Sequence, residues 1–180
     1  MLYPEMETLE TNRLLLRKFR MEDVPEVFAN YASSDAVTRF MTWPTHASTD
    51  VTREYLQSVL KNYASGKSYE WAVVLKEPGE TIGAVSIIRI NEEDDSAEIG
   101  YCIGERFWNK GIMTEAAGAV LAFIREKMKP GRVLALHDIN NPASGAVMRK
   151  CGMTFAKRQE GHRNNQGVCT VDVYELALGK

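Results

Sequence analysis

Apolar residues in this chain follow one of two periods, and the period switches at polar breaks. In residues 21–32, Val24, Val27, Phe28 and Tyr31 fall at i, i+3, i+4 and i+7, which predicts a helix. Residues 49–64 predict another, capped by Ser48 or Thr49, with Asp50 in its first turn and Gly66 ending it. Met113, Ala117, Val120, Leu121, Ile124 and Met128 mark a third, and residues 143–151 a short fourth stopped by Gly152. Residues 13–17, 68–75, 81–89, 96–103, 133–137, 155–158 and 168–178 are short and β-rich and predict strands. The breaks are a loose lead-in at 1–7, a loop at 42–47 where Pro44 disfavours helix at Trp43, and tight turns at 77–80, 91–95 and 140–142. A polar loop is expected at 160–167. The order is strand, two helices, three-strand meander, helix, strand, helix, two strands. It predicts one α/β domain: a mixed, mostly antiparallel sheet with helices on both faces. No internal repeat or linker interrupts it.

Residues 96–128 concentrate the chemistry. A strand runs into the loop Arg106-Phe-Trp-Asn-Lys-Gly111, and the loop feeds a helix start. Unpaired amides at a helix N-terminus, the helix dipole and the cations Arg106 and Lys110 make an anion site, most often for phosphate. Gly111 allows close backbone approach, and Asn109 tolerates a left-handed conformation. The plain alternative is a solvated basic turn.

Composition narrows the class. The chain has 180 residues, 44% hydrophobic and 26% charged, which suits a globular protein with a full core. A net charge of −2 provides no field for nucleic acid or anionic membrane, so neither is an expected partner. The three cysteines lie far apart without zinc-ligand spacing, and the three histidines are scattered, so no metal is expected. No apolar run reaches a membrane span and the first residues are acidic, so a reducing, cytoplasmic setting is the expectation.

Several runs together resemble one family: Glu98-Ile-Gly-Tyr101, Phe107-Trp-Asn-Lys-Gly111, Met113-Thr-Glu-Ala116, Asn141-Pro-Ala-Ser144 and Lys150-Cys-Gly-Met153. Thr11-Asn-Arg-Leu-Leu-Leu16 and the pair Trp43-Pro44 belong to the same pattern. They resemble the GNAT-superfamily N-acetyltransferases, and more narrowly the ribosomal-protein (Rim-type) group, over residues 8–178. Arg106, Asn109 and Gly111 occupy the places of the family's pyrophosphate loop, Asn109 standing where the family has its first Gly. The resemblance implies a GNAT-like fold and acetyl-CoA as cosubstrate. Its pyrophosphate would lie on Arg106, Asn109, Lys110, Gly111, Ile112 and Met113, with Thr114 beside them. The pantetheine arm would run along Tyr101, Cys102 and Ile103, in a gap splayed from the 133–137 strand, with Asn141 bonded to it. The acceptor would be a primary amine, above all a protein or peptide N-terminal α-amino group. Polyamines and antibiotic amines remain open, as do homodimerisation and a non-catalytic acyl-CoA-binding role.

Acetylation needs the neutral amine, so a carboxylate able to take the ammonium proton is expected near the cofactor. Glu98 fits, on the strand leading into the loop; the alternative is a cation pair or a sheet-edge bond. Glu70, at the start of a central strand, is a weaker candidate, and Glu115 at a helix start reads as structural. The family's thiolate-protonating Tyr, seven residues after the motif Asn, is Met148 here. Ser144, matching the Rim-type Ser, would assist the leaving thiolate; its alternative is to cap a helix. Cys102 and Cys151 read as small buried hydrophobes and provide no evident activated nucleophile. Tyr31, Phe40, Trp43, Tyr63 and Tyr69 could line an acceptor pocket or fill the core.

Overall fold

The computed structural model describes residues 1–66 and 68–179. Eight strands form one sheet: β1 (Leu9–Glu10), β2 (Leu14–Arg17), β3 (Tyr69–Leu75), β4 (Thr81–Asn91), β5 (Ser96–Ile103), β6 (Arg132–Asp138), β7 (Thr154–Asn164) and β8 (Gly167–Ala177). Their order is β1-β2-β3-β4-β5-β6-β8-β7. Every neighbouring pair is antiparallel except β5 and β6. The helices are α1 (Val24–Val27), α2 (Asp35–Thr38), α3 (Thr49–Tyr63), α4 (Ile112–Phe123) and α5 (Pro142–Lys150).

The alternation in β3 explains why helices lie on both faces. Tyr69, Trp71 and Val73 join the core beneath α4, with Phe123 edge-on to Trp71 at 5.4 Å between ring centroids. Ala72 and Val74 point the other way, under Val24 and Val27 of α1 and Leu56 and Val59 of α3. A strand buried on both sides is the expected middle of a two-faced sheet. Fully burying a side chain such as that of α3 Leu56 contributes roughly 1.5–3 kcal/mol.

The expected meander and the helices at 49–63 and 112–123 are present, and Ser48, not Thr49, caps α3 by accepting from the Val51 amide. The helix at 21–32 is built from three parts: a 3-10 turn at Met21–Asp23, α1, and a π turn at Phe28–Ala32. The lead-in is not loose: the Leu2 amide bonds the Met128 carbonyl at 2.7 Å, and Trp71 Nε1 donates to the Glu7 carbonyl at 2.8 Å. The polar loop expected at 160–167 is mostly strand, because β7 and β8 form one long hairpin turning at 165–166. β7 is an edge strand with nearly all of its side chains exposed, so it carries no apolar alternation to read. Short β1 and α2 were not foreseen.

One buried ion pair locks β2, the start of the α1 segment and β4 together. Asp23, 3% exposed, accepts from Arg17 Nη1 and Nη2 at 2.8 and 2.7 Å, from the Arg20 amide at 2.8 Å and from Thr81 Oγ1 at 3.0 Å. Burial opposes the charge, but the bonds from Arg17, Arg20 and Thr81 outweigh it and hold the Asp23 pKa below its ordinary value. Asp23→Asn leaves Arg17 uncompensated and should lower unfolding stability by about 3 kcal/mol in urea titration. A depressed folded pKa stabilises above the unfolded value and is lost as pH falls towards the folded one. The wild-type advantage over Asp23→Asn should therefore shrink below about pH 4. An equal gap at acid and neutral pH would contradict this.

Candidate active site

β5 and β6 are in register over four residue pairs, Ser96↔Arg132 to Ile99↔Ala135. Beyond that, 100–103 stay with β4 while 136–138 stay with β8, so the two parallel strands part. The departure coincides with a bulge in β4, between Ile87 and Arg89, directly opposite Ile99 and Glu98. A bulge bends its strand and increases local twist. The opening is a cleft of about 380 Å³ lined by Tyr101, Cys102 and Ile103, by the loop and α4 start at Trp108, Asn109, Gly111, Ile112, Met113 and Thr114, and by α5.

The loop has the backbone that its sequence suggested. Asn109 and Gly111 are both left-handed, with φ 60° and 70°, and Gly111 is the residue preceding the first turn of α4. The first α4 amides therefore open toward the cleft without a capping side chain. A carboxylate fixes this helix start from behind. Glu115 Oε1 accepts from Thr11 Oγ1 at 2.6 Å and the Arg13 amide at 3.0 Å, while Oε2 takes Arg13 Nε at 2.7 Å. Burial works against the Glu115 charge, and the Thr11 and Arg13 bonds overcome it and lower its pKa. Arg13 also donates to the Lys110 carbonyl at 3.0 Å, so β2, loop and helix move as a unit. At the other end of the loop, Gly104 is pressed against the α1 segment, where a Cβ would stand 2.4 Å from the Asn30 carbonyl oxygen.

The expected cations do not reach the cleft. Arg106 pairs with Glu80 and donates to Asn30 Oδ1 at 3.1 Å, lying over the Phe107 ring, and Lys110 also sits by that ring. The loop thus faces the cleft with backbone, and the cation on the lining is Lys150 from α5, which sequence reasoning did not single out. Asn141 lines the cleft and caps α5, its side chain accepting from the Ser144 amide at 3.4 Å. Capping was the alternative reading of Ser144, whose Oγ instead donates to the Tyr101 hydroxyl at 3.2 Å. The Tyr101 hydroxyl donates to the Ser144 carbonyl at 2.8 Å, bridging the gap between β5 and α5. Burial raises the Tyr101 pKa, so the phenol keeps its proton. Met148 is fully buried and packs in the core.

Glu98 does not line the cleft. It lies in the closed part of the β5–β6 pairing, 15% exposed, with Arg89 Nε 3.8 Å from its carboxylate. Glu70 lies on the same sheet face, bound by the Tyr55 hydroxyl. Of the aromatic residues, Phe40 lines the cleft, while Tyr69 belongs to the core under α4 and Tyr31 to the core under α1 and α3. Phe40 and Met41 are held in place by the β7–β8 hairpin tip. Asn165 donates its amide to the Met41 carbonyl at 3.0 Å, and its side chain donates to the Thr38 and Trp43 carbonyls at 2.9 and 2.6 Å. Among the described residues no group of three or more His, Cys, Asp and Glu could hold a metal ion, and no helix is long and apolar enough to cross a membrane.

The profile of the acetyltransferase (GNAT) domain matches residues 13–154. The chain belongs to the GNAT acetyltransferase family. It is 31% identical over 175 residues to the uncharacterised N-acetyltransferase p20 of Bacillus licheniformis, covering 97% of each chain. Two solved structures share the fold. One is the ribosomal L7/L12 α-N-protein acetyltransferase RimL in complex with coenzyme A, at TM-score 0.83 and 22% identity, with 96% of this chain and 98% of that one covered. The other is the microcin C7 self-immunity acetyltransferase MccE in complex with acetyl-CoA and AMP, at TM-score 0.83 and 18% identity, with 93% of each chain covered. As a GNAT acetyltransferase, this protein shares its fold with both of these structures.

The two cysteines nearest this opening are poor nucleophiles. Burial pushes the Cys102 thiol up to about 12 and raises that of Cys151 as well. Raised thiols carry little thiolate near neutral pH, and thiolate is the reactive form. After incubation with acetyl-CoA alone, mass spectrometry should find no stoichiometric acetylation of Cys102 or Cys151; a kinetically competent adduct would overturn direct transfer.

Proposed function

We propose that this protein transfers the acetyl group of acetyl-CoA to a primary amine, by direct attack of the amine in a ternary complex. The observation that carries the reading is the cleft itself: a parallel strand pair that opens where a left-handed loop presents the first amides of a long helix. That combination suits an extended ligand with a diphosphate at one end. The diphosphate would lie on the amides of Asn109, Gly111, Ile112, Met113 and Thr114. Lys150 would counter its charge, and the backbone of Arg106 and Lys110 would shape the turn. The pantetheine arm would follow Tyr101, Cys102 and Ile103, with Asn141 opposite. Entry of the arm requires the Tyr101–Ser144 bridge to yield or turn. The two hydroxyls are then the donors nearest the gap, where they would hydrogen-bond the departing sulfur in place of the buried Met148.

A protein or peptide N-terminal α-amino group is the acceptor we favour. The motif resemblance to the Rim-type group supports it, as does the fold shared with RimL, whose name records an α-N-protein acceptor. The fold shared with MccE keeps a small-molecule amine as the second reading. Thiol release from acetyl-CoA across unblocked peptides, polyamines and aminoglycosides separates the two. Peptide-dependent release is expected, and release with polyamines or aminoglycosides alone would favour the second reading.

The loop assignment has its own check. In Gly111→Val, a branched side chain would stand at a left-handed backbone position, its Cβ toward Arg13 Nη2, and would strain the turn that presents the first α4 amides. Acetyl-CoA affinity by calorimetry should fall by at least about tenfold, since the loss of even one charge-assisted hydrogen bond is worth about 1.5–3 kcal/mol. Unchanged affinity in a folded variant would place the diphosphate elsewhere.

A further inference from the structure

On the face covered by α1 and α3, the row Glu70–Ser86–Gly100 takes one residue from each of β3, β4 and β5. All three are half-buried, whereas Ala72 and Ala84 in the next row are sealed beneath the helices and lead to Cys102 on the cleft lining. Gly100 is the residue at which β5 leaves β6, and the exposed Ile88 of the β4 bulge lies over it. Neighbouring strands are about 4.8 Å apart, so the row runs roughly 10 Å from Glu70 to the point where β5 leaves β6.

Glu70 is unlike the other inward carboxylates. Asp23 has Arg17 and Glu115 has Arg13, but among the described residues no Lys, Arg or His lies within ion-pair distance of Glu70. Its partner is the Tyr55 hydroxyl, and the Tyr63 hydroxyl holds its backbone carbonyl at 2.6 Å. The Tyr31 hydroxyl, buried under the same helices, has no hydrogen-bond partner among the described residues. A half-buried carboxylate without a counter-ion is costly, and a cation bound at Glu70 would remove that cost.

We propose that Glu70 receives the ammonium group of the acceptor, which lies across the Ser86–Gly100 row with its nitrogen toward the cleft. The assignment rests on the acetyl-transfer reading and names a residue for it. The ammonium gives up two protons in all. Glu70 takes the first, directly or through one water, and frees the nitrogen lone pair. The nitrogen then bonds to the acetyl carbon, the carbon–sulfur bond breaks with its electron pair on sulfur, and the second proton passes from nitrogen to that sulfur by way of Ser144 and Tyr101. Glu70 returns its proton to solvent.

The surroundings suit this role. Burial raises the Glu70 pKa against the Tyr55 bond, which makes it a stronger base than an exposed carboxylate. Burial likewise keeps Tyr31 and Tyr63, Tyr55 on α3 and Cys102 on β5 protonated, and keeps His46, packed against Tyr55, neutral. Of the other charges near this face, Arg17 with Asp23 and Arg89 with Glu98 are paired with each other, Glu26 accepts from the Thr81 amide, and Lys18 lies over the Tyr63 ring and pairs with Glu5. Glu70 is thus the group of this pocket left to change charge as an ammonium arrives.

The test uses the full chain with acetyl-CoA and, as acceptors, an unblocked tripeptide and spermidine. Thiol release gives turnover, and calorimetry on the CoA-loaded protein gives acceptor binding. Glu70→Gln, which keeps the shape and the Tyr55 bond, should lower kcat/KM for the acceptor about 100-fold near neutral pH. Acetyl-CoA affinity and melting temperature should not change, and the deficit should shrink as rising pH supplies free amine. Ser86→Leu, which adds bulk to the middle of the row, should raise the acceptor KM with acetyl-CoA affinity kept. Glu70→Gln within about threefold of wild type, or Glu98→Gln alone producing the pH-rescued loss, overturns the assignment but leaves acetyl transfer standing. Wild-type protein that binds acetyl-CoA yet neither binds nor acetylates either probe overturns both.

Discussion

Backbone amides and carbonyls that leave a sheet need new partners, and β5 and β6 leave one another after Ile99 and Ala135. Each keeps its outer neighbour, β4 for one and β8 for the other, so the gap between them is held open by two intact ladders. The same parting sets where α4 and α5 begin, since one follows β5 and the other follows β6. Both helix starts therefore face a single space, and Tyr101 spans it to reach Ser144.

Ion pairs hold the frame around that space and stay out of it. Arg17–Asp23 ties the sheet to the α1 segment, Arg13–Glu115 ties it to the α4 start, and Arg106–Glu80 ties the loop back across β4. The space itself is lined mainly by apolar groups, backbone and hydroxyls, with Lys150 at its rim. Charges that belong to the frame are matched before any ligand arrives, so a ligand's own charges meet helix amides and the few groups left unmatched.

The sequence was most legible where local pattern and tertiary burial agree. β5 carries both its boundary and its exit into a left-handed loop, and α3 has its cap and apolar stripe in adjacent residues. It was least legible where structure is decided by a distant partner. The second half of β7, from residue 160 on, reads as polar loop because neither face is buried, and only β8 makes it a strand. Arg106 reads as an anion ligand because its own neighbours say nothing of Asn30, 76 residues earlier. Capping stays open as an alternative for Ser144 because Asn141, three residues before it, does not announce that it already fills the place. The row from Glu70 to Gly100 depends on strand register, which three separate stretches of sequence fix only together.

The hairpin tip at Asn165 gives the cleft a dependence that its lining residues alone would not reveal. The segment carrying Phe40 and Met41 has no strand of its own, and its Thr38, Met41 and Trp43 carbonyls are satisfied by one residue more than 120 positions later. Its order is borrowed from the C-terminal end of the chain. Fraying the last pairs of the hairpin would remove these bonds, so this side of the cleft is coupled to the edge of the sheet farthest from β1.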